Sequence, residues 1–356
     1  MPVTVIVGGQ FGSEGKGKVA HFLAKESKAR VAVRVGGSNS GHTVIDSFGS
    51  PIIFQHLPTA AILPDVSCVL GAGSYIDLDI LFNEISRVRL PSERLIMDPN
   101  AMIISINDIK EEQNSSLREN IGSTSSGTGA ALRRRILRDK SVRLAKNEES
   151  LRQFVQPVIP FLRECLARGE RVIIEGTQGF GLSLLHSDYY PFVTSRDTTA
   201  AAFISEVGLS PLDVDDIVLV IRAFPIRVGG NSGPLPSEID WETVTHESGA
   251  TIRLIEYTSV TKVKRRVARF DPAIVCQAIL TNQPTRIVLN HLDYIDIACR
   301  RSRKITDKAS FFVRNIETLI ERKIDYLGFG PEILVANSHI LNSKKYKISR
   351  AKELQE

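Results

Sequence analysis

The N-terminal segment VTVIVGGQFGSEGKGK, residues 3–18, constrains the fold more than any other part of the sequence. It opens with an apolar β-branched run that two glycines follow at once, which predicts a buried central strand. Five glycines between positions 8 and 17 allow backbone N–H groups to surround an anion, while Lys16 and Lys18 supply positive charge. A helix predicted from Lys18 to Lys25 directs the positive end of its dipole into this loop. The segment therefore predicts a strand, a phosphate-binding loop and a helix.

The loop differs from an ordinary P-loop. The spacing Gly12-x4-Gly17-Lys18 matches most of the Walker pattern, but Val19 stands where a serine or threonine would hold magnesium. A glycine-rich turn without a ligand is the alternative, and five glycines with two lysines exceed what a turn needs. The sequence favours a phosphate loop of another kind.

Composition limits the class of protein. The 356 residues are 42% hydrophobic and 24% charged, and no linker interrupts them, so we expect one α/β domain over residues 1–356. The net charge of +5 comes from scattered basic residues and aromatic residues are only 6%, which favours polyanionic small substrates over nucleic acid. Four widely separated cysteines and the lack of a long apolar run predict a reduced cytoplasmic protein without a membrane span.

The remaining elements repeat a strand followed by a glycine-rich loop. A helix is predicted over Leu78–Val88, Asp108–Asn120 is helical and polar, and a long amphipathic stretch covers Glu148–Arg168. The lysine-rich end, Ser343–Glu356, is predicted to be a surface helix or tail. Further strands are predicted at Val31–Val35, Ile52–Leu57, Val66–Leu70, Met102–Ile106, Arg171–Glu175, Val214–Phe224 and Arg286–Asn290. This order predicts a mostly parallel central sheet flanked by helices, with ligands at the carboxyl ends of its strands.

Two motifs carry a family resemblance. GSEGKGK at Gly12–Lys18 resembles the opening motif of the adenylosuccinate synthetase family, and GGSNSGHT at Gly36–Thr43 resembles its second motif. Matches continue in family order over nearly the whole chain, at Ile121–Gly129, Glu175–Thr199, Arg227–Glu238, Thr258–Asp271, Asn290–Asp293 and Gly328–Pro331. The resemblance implies the family's P-loop-related α/β fold and its homodimer.

The resemblance also implies a two-step ligase reaction. In the family, the purine 6-oxygen takes the γ-phosphoryl group of a nucleoside triphosphate, and the amine of L-aspartate then displaces phosphate. His42 resembles the family's catalytic acid, a role suited to an imidazole that titrates near neutrality. Lys16 would neutralise the transferring phosphoryl group, and the carbonyl of Gly41 would bind Mg²⁺ together with position 13.

Binding residues follow from the same resemblance. L-Aspartate would be held by Thr261 and Arg265. The purine monophosphate would be bound by Ser13, Asn39, Thr124, Gln178, Thr194 and, across the dimer interface, Arg138. The triphosphate would be bound by Gly12, Gly15, Lys16, Gly17, Gly41, His42, Thr43, His291, Asp293, Gly330 and Pro331. Thr124 and Thr194 have the alternative role of loop caps.

Two departures from the family pattern bear on the acceptor. Ser13 replaces the aspartate that removes the purine N1 proton and binds the metal, and Val263 replaces an arginine that touches ribose and aspartate. Both resemble the phage branch of the family, the 2-aminoadenylosuccinate synthetases, which take dGMP for the synthesis of 2-aminoadenine DNA. With Ser13, the base for N1 is Glu14, a water or a phosphate oxygen. The alternative is drift at Ser13 in an ordinary synthetase that uses IMP and GTP.

The donor and the class of protein also have alternatives. His291 stands where lysine is usual, which favours ATP or dATP, whereas Asp293 suits guanine as well. A GTPase-like switch is suggested by the phosphate loop and Asn290-x-x-Asp293, although Val19 and His42 do not suit one. An inactive relative that has lost its base is the third alternative. Phosphate release with and without L-aspartate and each purine monophosphate separates these hypotheses.

Overall fold

A computed structural model describes residues 2–259 and 262–337. In chain order the strands are β1 (Val3–Gly8), β2 (Val31–Arg34), β3 (His42–Ile45), β4 (Pro51–Phe54), β5 (Ser67–Leu70), β6 (Tyr75–Ile76), β7 (Leu95–Met97), β8 (Met102–Ile103), β9 (Val172–Glu175), β10 (Val214–Arg222), β11 (Ile226–Arg227), β12 (Glu238–Ile239), β13 (Arg266–Ala268), β14 (Arg286–Asn290), β15 (Tyr326–Phe329) and β16 (Ile333–Ala336).

The helices are α1 (Lys16–Glu26), α2 (Leu78–Val88), α3 (Ile106–Asn114), α4 (Leu117–Ile121), α5 (Thr128–Ile136), α6 (Val158–Ala167), α7 (Ala200–Val207), α8 (Trp241–Ser248), α9 (Pro272–Asn282), α10 (Ala298–Ser302) and α11 (Asp307–Leu319). In the described part of the chain, no helix is long and apolar enough to cross a membrane.

A nine-stranded sheet forms the centre of the fold. Its strand order is β16-β15-β14-β10-β1-β9-β2-β5-β7, and every pair is parallel except β15 with β16. β1 lies in the middle, with Val5 opposite Ile174 of β9 and Ile217 of β10. Every residue of β1 is buried, as expected for a parallel strand that helices cover on both faces. The predicted mostly parallel sheet is therefore confirmed.

Alternation along β1 divides the core into two layers. Val3, Val5 and Val7 belong to the cluster that also contains the apolar residues of α6, α7, α9 and α11. Ile6 points to the opposite face and belongs to the cluster formed by α1. Helices on both faces thus hold the sheet rigidly and leave the carboxyl ends of its strands for loops.

The phosphate loop ends earlier than predicted. α1 begins at Lys16, not at Lys18, so Lys16 and Gly17 lie in the first turn of the helix. Gly15 precedes the helix with φ of 90°, a left-handed conformation that glycine adopts without strain. The helix N-terminus therefore faces the centre of the glycine loop, with its free N–H groups directed there.

The structure corrects two other predicted strands. Residues 52–57 do not join the main sheet, because Pro51–Phe54 pairs with β3 in an antiparallel hairpin whose first residue is His42. Met102–Ile106 is shorter as a strand, since Ser105 and Asp108 form a capping box that starts α3. The predicted Leu78–Val88 helix and Arg286–Asn290 strand are confirmed. The predicted terminal helix or tail, 343–356, lies outside the described residues.

Candidate active site

Four strands of the central sheet end in polar residues, and one of these residues holds the glycine loop that follows β1. Arg34 ends β2, Glu175 ends β9, Arg222 ends β10 and Asn290 ends β14. The side-chain amide of Asn290 donates to the carbonyl oxygen of Glu14 at 2.7 Å, which fixes the glycine loop against β14. Because parallel strands bring their carboxyl ends to the same edge, residues far apart in sequence meet here.

A cavity of about 360 Å³ opens at this edge. Its lining includes Glu256 and Tyr257, to which the motifs assign no role. The predicted site residues that line it are Gly12, Ser13, Gly15, Lys16, Gly17, Asn39, Gly41, His42, Thr43, Thr124, Gln178, Arg265, His291, Gly330 and Pro331. The structure therefore brings most of the predicted triphosphate and metal residues to one place.

A second cavity of about 210 Å³ adjoins the first. It is lined by Asn39, Thr124, Gln178 and Thr194, four of the residues predicted to bind the purine monophosphate. The two cavities share six residues: Phe11, Asn39, Thr124, Gln178, Leu182 and Val228. Two ligands bound in these cavities would lie side by side, the arrangement that transfer of a group between them requires.

Glu14 lies inside the phosphate loop. Its carboxylate is fully buried and accepts N–H groups from Gln10 at 3.2 Å and Gly12 at 2.8 Å. The other carboxylate oxygen lies 2.7 Å from the Lys16 ammonium. Glu14 thus holds the shape of the loop and the position of Lys16.

His42 is held from both sides. Its Nδ1 lies 2.6 Å from Glu175 Oε1, and its Nε2 lies 3.5 Å from a guanidinium nitrogen of Arg34. Burial and then the positive charge of Arg34 lower the His42 pKa to about 4, although Glu175 opposes the change. The sequence led us to expect an imidazole that titrates near neutrality. Burial of the ring and then the neighbouring Arg34, neither of which the sequence reveals, lower the His42 pKa below that range.

Arg265, predicted to bind L-aspartate, has an acidic partner in the structure. Glu256 accepts from Arg265 at 3.2 Å and from both terminal nitrogens of Arg222, one of them at 2.5 Å. Burial favours the neutral acid, but the charges of Arg222 and Arg265 and the hydrogen bonds from Arg222 together outweigh it and hold the Glu256 pKa well below its usual range. Arg222 also donates to the carbonyl oxygen of Ser13 at 2.9 Å. Two guanidinium groups and one carboxylate leave a net positive charge beside the cavity, which suits a dicarboxylate.

The predicted base-binding residues lie near Lys18. Lys18 is buried and donates to the carbonyl oxygens of Gly330 at 3.2 Å and Ile333 at 3.3 Å. Burial lowers its pKa to about 8, against the opposing charge of Asp293. Burial and then Arg222 lower the His291 pKa well below its ordinary value, so His291 is neutral at pH 7. A neutral imidazole can accept a hydrogen bond as well as donate one.

Two predicted residues line neither cavity, and a third falls outside the part of the chain that the structure describes. Asp293 is almost fully buried and its Oδ1 has no hydrogen-bond partner within the described residues. Arg138 is exposed just beyond the end of α5, so a role at this site would need a partner subunit. Thr261 lies outside the described residues. The roles of all three stay predictions.

The donor set fits a magnesium ion only in part. Among the described residues, no group of three or more histidine, cysteine or acidic side chains forms a metal cluster. Gly41 and Ser13 line the same cavity and offer a carbonyl and a hydroxyl oxygen, the hard donors that Mg²⁺ prefers. Oxygens of a triphosphate and water would complete such a site.

Sequence reasoning missed Arg34, Glu175, Arg222 and Glu256. A single signal could have identified three of them, since each is a charged residue that ends an apolar strand. Such a position places the charge at the ligand-binding edge of a parallel sheet. Glu256 precedes the aspartate-binding segment and has no comparable signal.

The fold and the paired cavities define an α/β protein with two adjoining cavities beside a glycine-rich loop and a helix N-terminus. The sequence profile of the family described as adenylosuccinate synthetase matches residues 5–147 and 139–298. The chain belongs to the adenylosuccinate synthetase family, and so to the ligases that form a carbon–nitrogen bond in purine biosynthesis.

Similar proteins include both archaeal and viral members. The adenylosuccinate synthetases of Methanococcus aeolicus and Methanocaldococcus jannaschii are 36% and 37% identical over 340 residues, covering 94% and 93% of this chain and 98% and 94% of theirs. The solved succinoaminodeoxyadenylate synthetase of cyanophage S-2L, bound to dGMP and dATP as an energy donor, is 30% identical with a TM-score of 0.78, covering 94% of this chain and 95% of that one.

A more distant structure shares the fold. The fully ligated adenylosuccinate synthetase of Plasmodium falciparum has a TM-score of 0.80 at 20% identity, covering 95% of this chain and all of that one.

Proposed function

We propose that this enzyme joins L-aspartate to C6 of dGMP with hydrolysis of a nucleoside triphosphate, giving 2-amino-2′-deoxyadenylosuccinate for the synthesis of 2-aminoadenine DNA. The observation that carries the proposal is Ser13, which lines the larger cavity together with Asn39 and Gln178, two of the residues that both cavities share. A serine leaves space there and offers a hydroxyl to the 2-amino group of guanine. IMP lacks that group.

Val263 supports the same acceptor. Val263 packs against Gly229, since its Cγ1 lies 3.0 Å from the position that a Cβ on this glycine would take. The residue before Gly229, Val228, lines both cavities. An apolar side chain at this place offers no donor to a ribose 2′-hydroxyl. The viral structure that resembles this chain holds dGMP and dATP, whereas the archaeal relatives are named as ordinary adenylosuccinate synthetases.

The site residues divide the reaction between them. Lys16, at the start of α1, faces the γ-phosphoryl group as it passes to the purine 6-oxygen, and the helix N-terminus adds further positive potential. Nε2 of His42 serves the same region: once the anionic phosphates are bound and the ring takes up a proton there, it donates to the transferring phosphoryl group. Transfer of that group to the 6-oxygen then makes this oxygen a leaving group. Arg265 holds a carboxylate of L-aspartate. The amine of the bound L-aspartate then attacks C6, and phosphate departs. A Mg²⁺ ion held by Gly41 and Ser13 would neutralise charge on the triphosphate.

The contacts of Glu14 argue against it as the base for the N1 proton. Its carboxylate is fully buried, lines neither cavity and is paired with Lys16. The second carboxylate near Ser13, Glu256, is held ionised by two guanidinium groups and is a weak base. A water or a phosphate oxygen is therefore the proposed acceptor of the N1 proton.

Phosphate release tests the proposal. The enzyme is assayed with Mg²⁺, ATP and L-aspartate, and with either dGMP or IMP as acceptor. We expect phosphate release that requires both L-aspartate and a purine monophosphate, with a higher kcat/KM for dGMP. A higher kcat/KM for IMP would identify an ordinary adenylosuccinate synthetase, and release without either substrate would identify a nucleotide switch.

The donor preference leads to a prediction at His291. Neutral His291 can accept a hydrogen bond from the 6-amino group of adenine. Lysine can only donate one, which suits the 6-oxygen of guanine. We expect the wild-type enzyme to use ATP or dATP at least as well as GTP, and His291→Lys to shift the ratio of kcat/KM values toward GTP by about tenfold, the effect of about one hydrogen bond. Competition between ATP and GTP measures this ratio.

His246 provides the control for this substitution. It lies in the last turn of α8 and lines neither cavity, so His246→Lys should leave the ATP to GTP ratio unchanged. Exclusive use of GTP by the wild-type enzyme would refute the prediction.

We also propose a homodimer to which Arg138 contributes. Ile136 and Leu137, immediately before Arg138, are 66% and 68% exposed, an arrangement that suits a covered interface. If Arg138 acts across the interface, Arg138→Ala and His42→Asn should each be inactive alone. Mixed and reassembled, they should regain roughly a quarter of wild-type activity, because half of the dimers then contain one intact site of two.

A matched mixture makes this test specific. Lys16→Ala mixed with His42→Asn should not recover activity if both residues serve the same subunit's site. A fully active monomer, or no recovery in the Arg138→Ala mixture, would contradict the dimer proposal.

A further inference from the structure

Glu175 makes contacts that the proposed reaction does not yet use. It ends β9, its side chain is completely buried, and Oε1 lies 2.6 Å from Nδ1 of His42. Its other oxygen accepts the backbone N–H of Thr59 at 2.8 Å and lies 2.8 Å from the Thr59 hydroxyl. Both carboxylate oxygens therefore have fixed partners, and the group cannot turn away from the ring.

The Thr59 contact connects this carboxylate with the phosphate loop. The Thr59 hydroxyl also lies 2.9 Å from the carbonyl oxygen of Gly17, in the first turn of α1. Thr59 itself is fully buried. Glu175, Thr59 and Gly17 thus fix the position of His42 relative to the helix N-terminus that faces the phosphates.

A carboxylate at Nδ1 also determines the tautomer of His42. An ionised carboxylate only accepts hydrogen bonds, so Nδ1 must carry the proton in this contact. Nε2 is then the nitrogen left for the cavity side and for Arg34. The same division of roles occurs in Ser-His-Asp sites, where a buried carboxylate orients the histidine without touching substrate.

We infer that Glu175 is a positioning residue for the proposed ligase reaction: it holds His42 in the Nδ1–H tautomer, with Nε2 directed to the region where the phosphoryl group is transferred. The inference rests on the proposed function of His42. Glu175 does not line either cavity, so its effect on substrates is indirect. It should therefore influence turnover more than substrate affinity.

Glu175→Gln tests this role because glutamine keeps the size of the side chain. We expect kcat to fall about 10- to 100-fold, the usual effect of losing a group that orients a functional histidine. KM for the nucleotides and L-aspartate should change by less than about threefold, since no binding contact is lost. An unchanged kcat would overturn the inference, as would a loss confined to KM.

Glu84→Gln is the matched control. Glu84 is also a buried carboxylate, and it accepts the N–H groups of Gln55, His56 and Leu57. None of these three residues lines either cavity, and none is His42. A fall in kcat for Glu175→Gln alone supports positioning, whereas an equal fall for both variants would indicate general loss of structure and overturn it.

A double variant separates positioning from stability. If Glu175 acts only through His42, Glu175→Gln should lower kcat little further in a His42→Asn background. A full additional loss would contradict the inference. If Glu175→Gln does not fold, Thr59→Val provides the second variant, because it removes the hydroxyl contact but keeps the N–H, and a smaller fall in kcat is expected.

Nitrogen NMR of ¹⁵N-histidine-labelled protein reports the tautomer without any assay of activity. We expect His42 to be protonated on Nδ1 in the wild-type protein and to gain the Nε2–H form in Glu175→Gln, whose amide can donate to a bare Nδ1. The Nε2–H form in the wild-type protein would overturn the inference. If instead the tautomer shifts as expected but the wild-type enzyme has no ligase activity, the proposed function fails while the contact stands.

Discussion

His42→Asn is expected to lower kcat by at least about 100-fold, the scale on which acid–base groups contribute to catalysis. Asparagine keeps a polar side chain of similar reach, but its amide does not titrate, so it cannot take up a proton beside the bound phosphates and pass it to the 6-oxygen or the γ-phosphoryl group. The ring of His42 is held by Glu175 on one nitrogen and lies close to Arg34 on the other, so its position is fixed before substrates bind. KM for both nucleotides should change little, because the phosphate loop is untouched.

His56→Asn is the control for this prediction. His56 is also a buried histidine, whose pKa burial and then Arg34 lower to about 3, but it lines neither cavity. Its Nε2 accepts the N–H of Asp77 at 3.1 Å, which is a structural contact. His56→Asn should therefore lower stability while keeping most of kcat. Near-normal turnover of His42→Asn would show that the assigned mechanism is wrong.

The central sheet could be predicted because its strands carry local signals. β1 consists of β-branched apolar residues bounded by glycine, and β14 occupies the range that was predicted for it. α2 also has the predicted bounds, since its apolar residues recur at helical spacing and Asp77 caps it. In these elements local preference and tertiary burial agree.

Elements whose conformation depends on distant partners were less predictable. Pro51–Phe54 resembles a sheet strand in sequence, yet it pairs with His42–Ile45 in a separate hairpin. α6 begins only at Val158, although the amphipathic pattern starts at Glu148, because the chain between them turns and Pro157 precedes the helix. Periodicity alone does not say which partner an edge strand has, or where a helix starts.

The same limit applies to the site. Its loop residues come from motifs, so the sequence was sufficient to suggest that Ser13, His42 and Arg265 belong together, and all three line one cavity. The charges that adjust them come from strand ends elsewhere. Burial and then Arg34, for example, lower the His42 pKa, and Glu256 accepts a hydrogen bond from Arg265. These are effects of burial and neighbouring charge, which have no motif.

Ser13 is where the acceptor proposal can be tested by substitution. Its φ is 56°, a left-handed conformation, and its side chain is exposed in the cavity. Aspartate adopts this conformation more readily than most residues, so Ser13→Asp should not strain the loop. Any change in substrate preference then reports the chemistry of the side chain.

Ser13→Asp should lower kcat/KM for dGMP by about 10- to 100-fold, because the larger carboxylate fills the space proposed for the 2-amino group. The IMP reaction should lose less or improve, since aspartate can serve as the base for N1 and as a metal ligand. Ser13→Ala is the control for volume: it removes the hydroxyl without filling the space. We expect Ser13→Ala to lower kcat/KM for dGMP by about tenfold at most, a smaller effect than that of Ser13→Asp, because it removes only one hydrogen bond. If Ser13→Asp keeps the wild-type preference for dGMP over IMP, position 13 does not read the 2-amino group, and the discrimination must come from Val263 or from the residues that line the smaller cavity.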